Sequence, residues 1–182
     1  MPLAYAANAA PLSIGVVDVR YILSQSLAAV SIEDQQRALK DKFLSEISER
    51  EKALRDEEQA LAESKNTLSS EEYAQRRKDY EQKFLELGRE TREKKRALDE
   101  ISTNAANQLR DALTQVVQEI ANESGFNLII SNQNVITGAK DLDITARVLE
   151  RLNTVLPRVE LVNPLASSDS QERPVQKDPK EP

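Results

Sequence analysis

The chain has 182 residues and a net charge of −6, and 31% of its residues are charged while only 4% are aromatic. This aromatic content is too low for one compact core of that length, and the acidic balance argues against nucleic acid as a partner. Cysteine and histidine are both absent, which excludes disulfides, iron–sulfur clusters and thiolate zinc sites and removes the commonest general base.

The N-terminal part of the sequence predicts a tail, a strand and a short helix. Residues 1–12 are rich in alanine, and Ala4–Ala6 has the small-x-small form of a signal-peptidase site. A positively charged start and an apolar stretch are missing, so this segment is either a signal remnant or a flexible tail. Residues 13–19 then predict a strand and residues 21–26 a short helix or turn. The sequence contains no apolar run of about 18 residues, so it predicts no membrane span.

Residues 31–104 predict a long antiparallel helical hairpin. Apolar residues recur every seventh position on the first arm, and those of the second arm mirror them about Ser70, as heptad layers in one register require. The predicted pairs are Leu68 with Tyr73, Leu61 with Tyr80, Leu54 with Leu87, and Phe43 with Leu98. Ser31 predicts the N-cap of the first arm, which continues to about Leu68. Ser69 with Glu72 predicts a capping box that places the tip near residues 69–70.

The second arm leads into the predicted body. Its lower part, residues 98–120, has a wide apolar stripe that predicts a core, and Gly125 predicts the end of the helix. Residues 126–131 and 135–137 predict two strands. Asp143 predicts the N-cap of a closing helix that runs from Ile144 to about Asn153.

The C-terminal residues 157–182 combine prolines with polar and charged residues and predict a disordered tail. The fold class is therefore α+β and mainly helical. We expect a small α/β body formed by residues 13–30 and 105–156, from which the hairpin of residues 31–104 extends.

The sequence favours no catalytic, metal or cofactor site. The four glycines are scattered, so no phosphate-binding loop is predicted and no ATP cycle is expected. Asp18 follows a strand, where catalytic carboxylates occur, but without a histidine, a cysteine or a second placed carboxylate it is interpreted as a turn or cap residue. The acidic clusters alternate with Lys and Arg, unlike a calcium loop.

Three segments in this order carry a resemblance: Ile14–Val19 before the hairpin, then Phe126–Ile130 and Asp143–Leu149 after it. The chain resembles the Skp (OmpH-like) family of periplasmic chaperones over residues 13 to 153. The resemblance implies a homotrimer, in which strands of each subunit build a small body and three hairpins extend from it as tentacles. It also implies that unfolded outer-membrane proteins are sheltered between the tentacles, in the periplasm and without ATP.

The residues that would perform these roles follow from this arrangement. The oligomerisation candidates are the strand residues Ile14, Val16, Val17, Leu128, Ile129 and Ile130. The candidate client-binding residues of the cavity are Leu54, Leu61, Leu68, Tyr73, Tyr80, Phe84 and Leu87. Phe84 lies opposite Glu57 in the predicted register, so it either faces the cavity or is an ordinary core residue.

Two further features of the hairpin have alternative interpretations. Gly88 is either a hinge that lets the arms splay or a point of close helix approach opposite Ala53. Arg76, Arg77 and Lys78 near the tip either contact a membrane surface or lipopolysaccharide, or form a solvated face with salt bridges.

Two other functions share the hairpin. A cytosolic prefoldin-like holdase would also use coiled-coil tentacles, and a structural adaptor would bind one folded partner. The closing helix at Asp143 and the Ala4–Ala6 segment favour the periplasmic chaperone.

Overall fold

The structure, a computed structural model, describes residues 11–165. Most of the predicted N-terminal segment and residues 166–182 of the predicted tail lie outside this range. The described chain contains the helices α1 (Val19–Gln25), α2 (Leu27–Ser64), α3 (Ser70–Ser124) and α4 (Thr145–Val155), and the strands β1 (Ile14–Val17) and β2 (Leu128–Ser131). The mainly helical α+β class is confirmed.

The described residues divide into two compact units. The first contains residues 11–34 and 105–160, and the second contains residues 35–104 and 161–165. In the first unit β1 and β2 form a parallel two-stranded sheet in which Ile14 pairs with Leu128 and Val16 with Ile130. The core of this unit confirms the apolar stripe predicted on the second arm. Its fully buried side chains include Ile22, Val116, Ile120, Val148 and Leu152.

Local hydrogen bonds fix the element ends of the first unit. Asp18 caps α1, because its Oδ1 accepts the Tyr21 amide at 2.8 Å. That bond is the largest cause that lowers the pKa of Asp18, so the interpretation of Asp18 as a cap is confirmed. At the end of α3 the amides of Gly125 and Phe126 donate to the carbonyls of Asn122 and Ala121. Gly125 has a φ of 70°, and these bonds are those of a Schellman cap.

Two predictions of element position in this unit are wrong. Helix α2 begins at Leu27, one turn before the predicted N-cap at Ser31, because the buried Ser26 Oγ accepts the Ala29 amide at 3.2 Å. Residues 135–137 form no strand, and Ile136 is fully exposed. Their β-branched composition favours a pleated, half-buried surface, but the sheet of the described chain contains only β1 and β2.

The predicted closing helix is confirmed, but it begins at Thr145 with Ile144 as its N-cap, so the predicted N-cap at Asp143 is wrong by one residue. From the position before this N-cap, Asp143 Oδ1 accepts the Thr145 amide at 2.9 Å and so satisfies one backbone donor of the first turn. The next segment corrects the predicted tail. Val159 is buried and the Leu161 amide donates to Gln35 Oε1 at 3.2 Å. Residues 157–165 therefore include ordered contacts, which the proline-rich composition concealed.

The second unit is the helical hairpin. The capping box at its tip is confirmed, since Glu72 Oε2 accepts the Ser69 amide at 3.1 Å while Ser69 Oγ accepts the Glu72 amide at 3.3 Å. Helix α2 ends at Ser64 rather than at Leu68, and residues 65–69 form the turn. The antiparallel packing of the two arms is observed in the interhelical ion pair of Lys83 with Glu57 at 2.7 Å, although the predicted register places Phe84 opposite Glu57.

Candidate functional site

The seam between the two arms holds most of the predicted client-binding residues. Leu54 is buried and, with Leu87, lines a small groove between the arms. Leu54 therefore offers no free surface to a client, which corrects its prediction as a cavity residue. The others are half-buried along the seam: Leu61, Leu68, Tyr73, Tyr80 and Leu87.

A different set of apolar side chains is exposed on the hairpin. Phe84 is 60% exposed and stacks on Tyr80 with ring centroids 6.4 Å apart. The interpretation of Phe84 as a core residue is therefore wrong for this chain. Leu44 and Leu85 are also exposed, and the sequence analysis missed both because it followed only the heptad positions. The exposed apolar groups are few and scattered, so they suit many weak contacts rather than one fixed partner.

A buried charged cluster interrupts the seam at mid-hairpin. The Lys94 ammonium lies against the Glu46 carboxylate, 2.9 Å from the Glu90 carboxylate and 5.3 Å from the centre of the Phe43 ring. Arg50 pairs with Glu90 at 2.8 Å. The hydrogen bond from Lys94 is the main cause that lowers the pKa of Glu46. Burial alone would lower the pKa of Lys94, but its bonds to both carboxylates raise it.

The structure separates the two interpretations of Gly88. A β-carbon built at Gly88 would have only Arg92 of its own helix within 4 Å. The interpretation as a close approach to Ala53 is therefore wrong, because no atom of the opposite arm comes near enough to require glycine. The hinge remains a prediction, and its energetic basis is that glycine costs a helix about 1 kcal/mol relative to alanine.

The basic residues near the tip lie on a solvated helix face. Arg77 pairs with Glu81 four residues on at 2.8 Å, a bond that raises the pKa of Arg77. Arg76 and Lys78 are exposed as well. The paired charges favour the salt-bridged face over a dedicated anion site, since part of the positive charge is already neutralised. Contact of Arg76, Arg77 and Lys78 with a membrane surface or lipopolysaccharide stays a prediction.

The sheet divides the oligomerisation candidates between its two faces. Val17 is buried, and Gly15 and Ile129 share its face, where a β-carbon at Gly15 would lie 3.3 Å from the Ile144 side chain. This face packs within the chain. On the other face Ile14, Val16 and Ile130 are half-buried and Leu128 is 43% exposed.

The second face is therefore a small apolar surface that the chain covers only partly. In addition β2 is an edge strand of the sheet in the described chain. A short edge strand next to apolar side chains favours pairing with a strand of another chain. The predicted set is corrected at Val17, which is committed to the core of its own chain.

Residues 13–152 match the family model of the outer membrane protein (OmpH-like) family. The chain belongs to the OmpH-like family. The fold is similar to a solved OmpH-like structure from Caulobacter crescentus, described as a candidate outer membrane chaperone, with a TM-score of 0.76 and 15% sequence identity. That likeness covers 85% of this chain and 91% of the Caulobacter chain. A comparison with curated proteins found no match.

The two surfaces described above consist of short apolar patches on the hairpin and on the sheet. Among residues 11–165 no helix is long and apolar enough to cross a membrane, and no cluster of acidic side chains suits a metal ion.

Proposed function

We propose that the chain is a holdase chaperone of the periplasm, which binds unfolded outer-membrane β-barrel proteins and prevents their aggregation without ATP. The observation that carries the proposal is the family match over residues 13–152, which includes both the body and the hairpin. The Caulobacter neighbour, described as a candidate outer membrane chaperone, supports it through its fold.

The exposed hairpin surface supports this function physically. Unfolded barrel segments alternate apolar and polar residues, so they offer scattered apolar groups rather than one long apolar stretch. The hairpin presents isolated apolar groups such as Phe84, Leu85 and Leu44 among charges of both signs. Each contact is weak and replaceable. Release would then require only a competing process, such as folding of the client into the membrane.

We further propose that three copies assemble through the half-covered sheet face. The face with Leu128 and Ile130 is too small to form a stable body from one chain, and burial of its apolar area between copies would stabilise the assembly. Three hairpins around one client would raise the effective concentration of the weak sites. The client would thus be retained although no single contact is strong.

The test measures mass by sedimentation velocity and light scattering, with and without a urea-denatured outer-membrane barrel protein diluted into the solution. The proposal expects a trimer that captures one client and keeps it soluble. A monomer or dimer that ignores unfolded chains would refute it. Such a result would favour the alternative, a coiled-coil adaptor that binds one folded partner.

A further inference from the structure

Residues 161–165, which come after α4 in the chain, lie against the hairpin, and we name them the clasp. The Leu161 amide donates to Gln35 Oε1 on α2 at 3.2 Å. The three odd-numbered side chains of the clasp are half-buried, and the two even-numbered ones are exposed. The clasp ends in a tight turn, since the Leu165 amide donates to Asn163 Oδ1 at 3.0 Å. These bonds give a defined place to a segment that belongs to no helix or strand.

The clasp stands where both arms of the hairpin line one groove. Asn163 and Leu165 form one wall of this groove, which has a volume of about 570 Å³. The other walls come from residues 42–50 of α2 and residues 90–94 of α3. The clasp therefore borders both arms at the level of the charged cluster around Lys94.

We propose that the clasp keeps the two arms paired at this level, so that the hairpin opens only in the part nearer the tip. Ion pairs join the arms here, since Lys94 pairs with Glu46 and Arg50 pairs with Glu90. Partly exposed ion pairs contribute little stability, because water screens them, and the Arg50 side chain is 58% exposed. The clasp adds a backbone hydrogen bond and two half-buried leucines, which the charges alone do not supply.

The position of the clasp also defines where the arms part. Glu90 is the groove residue of α3 nearest the tip, and Gly88 lies two residues beyond it. Glycine weakens a helix interior, and no atom of the opposite arm lies within 4 Å of a β-carbon built at Gly88. An arm that is held at the clasp and weakened just beyond it bends at Gly88. The clasp thus gives the predicted hinge a fixed base.

The family membership does not account for this device. The match to the OmpH-like family model ends at residue 152, so the clasp lies outside the matched part of the chain. Its role concerns only the pairing of the arms, and it holds whether or not the chain binds unfolded proteins.

The first test measures distances between the arms. The chain contains no cysteine, so two introduced cysteines place a pair of spin labels at chosen sites. One pair, Ser45→Cys with Lys95→Cys, reports on the level of the clasp, and the other, Glu58→Cys with Gln82→Cys, reports on the arms nearer the tip; all four sites are exposed. Labelled chains are diluted into unlabelled ones, so that each distance lies within one chain. We expect a narrow distance distribution at the clasp and a broader one nearer the tip.

Substitutions in the clasp then show whether it causes the pairing. Leu161→Ser combined with Leu165→Ser removes its apolar contacts, and Leu161→Pro removes the amide that donates to Gln35. Both variants should broaden the distribution at the level of the clasp. Val162→Ser is the matched control, because Val162 is 79% exposed, and it should leave that distribution narrow.

Hydrogen exchange separates a local effect from a loss of folding. In both clasp variants the amides of residues 43–50 and 90–97 should lose protection about threefold to tenfold, the effect of one net hydrogen bond. The amides of residues 113–120, whose side chains belong to the core of the first unit, serve as the internal reference and should keep their protection.

Three results would overturn the proposal. The first is a distribution at the level of the clasp that stays narrow in both clasp variants. The second is a loss of protection that is equal in the hairpin and in the reference amides, since that would be general unfolding. The third is an unmodified chain whose arms are as widely distributed at the clasp as they are nearer the tip.

Discussion

Replacing Lys94 by methionine should loosen the middle of the hairpin. The Lys94 side chain is only 9% exposed, and its ammonium neutralises the carboxylates of Glu46 and Glu90. Methionine keeps an unbranched apolar stem against Phe43 but removes the charge. The two carboxylates would then lie close together without their common partner.

The expected loss of stability follows from the exposure of the partners. Breaking a fully buried ion pair costs about 3–5 kcal/mol, because one charge is left unpaired. Here the side chains of Glu46 and Glu90 are 39% and 21% exposed, and Arg50 still holds Glu90 at 2.8 Å. Solvent screening therefore reduces the expected loss to about 1–2 kcal/mol.

Hydrogen exchange of the amides near residues 43–50 and 90–97 measures this loss locally, independently of global unfolding. A loss of that size lowers the protection of these amides about fivefold to thirtyfold. Lys95→Met is the matched control, because Lys95 is exposed and surface substitutions usually change stability by less than about 0.5 kcal/mol. Equal protection in the Lys94 and Lys95 variants would refute the reasoning.

The pH dependence and a rescue variant identify the cause. Lys94 holds the pKa of Glu46 below its ordinary value of 4.5, so the pairing stabilises the hairpin above that pH and is lost as the pH falls through the lowered pKa. The difference between the wild type and Lys94→Met should therefore shrink in acid. Adding Glu46→Leu and Glu90→Leu to the Lys94 variant should restore protection, since no unpaired carboxylates remain.

Three further predictions concern assembly, the hinge and the tip. Leu128→Asp should dissociate the proposed trimer, because each copy would bury an unpaired charge at a cost of about 3 kcal/mol; the fully exposed Ile136 gives the control Ile136→Asp, and an unchanged mass for Leu128→Asp would contradict the proposed sheet interface. Gly88→Ala should strengthen the helix locally by about 1 kcal/mol and narrow the distribution of interarm distances between spin labels, and an unchanged distribution would argue against a hinge. Ser69→Ala should cost the tip about 1 kcal/mol, seen as faster amide exchange at the start of α3, whereas unaltered exchange would show that the capping box is dispensable.

The hairpin, its tip and the end of α3 were predictable because their signals are local, whereas both ends of α2 differ from the prediction. The capping box at Ser69 and the Schellman cap at Gly125 depend on residues within one turn. The apolar mirror pattern likewise predicted the antiparallel pairing of the arms, which the ion pair of Lys83 with Glu57 displays. The strand-like composition of residues 135–137 gave a wrong prediction. A strand must pair with the edge of another strand, and composition cannot reveal whether such an edge lies nearby.

The candidate surfaces were only partly predictable. The sequence indicated that Phe84 falls outside the register of the seam, but it could not decide whether that ring is covered. It grouped Val17 with Leu128, although the pleat of the sheet places them on opposite faces. It gave no signal for Leu44 and Leu85. These residues lie outside the heptad positions, and the repeat predicts contacts only for residues at those positions.

The sequence by itself determined the helix periods, the capping box at Ser69, the cap at Gly125, the order of the helices and the absence of cysteine and histidine chemistry. These depend on contacts between residues that are close along the chain or repeat at a fixed period. Tertiary structure alone decided the cluster around Lys94, the half-covered face of the sheet and the hydrogen bond of the Leu161 amide with Gln35. Each depends on groups that are distant in sequence, and their burial and pairing arise only when the chain brings them together.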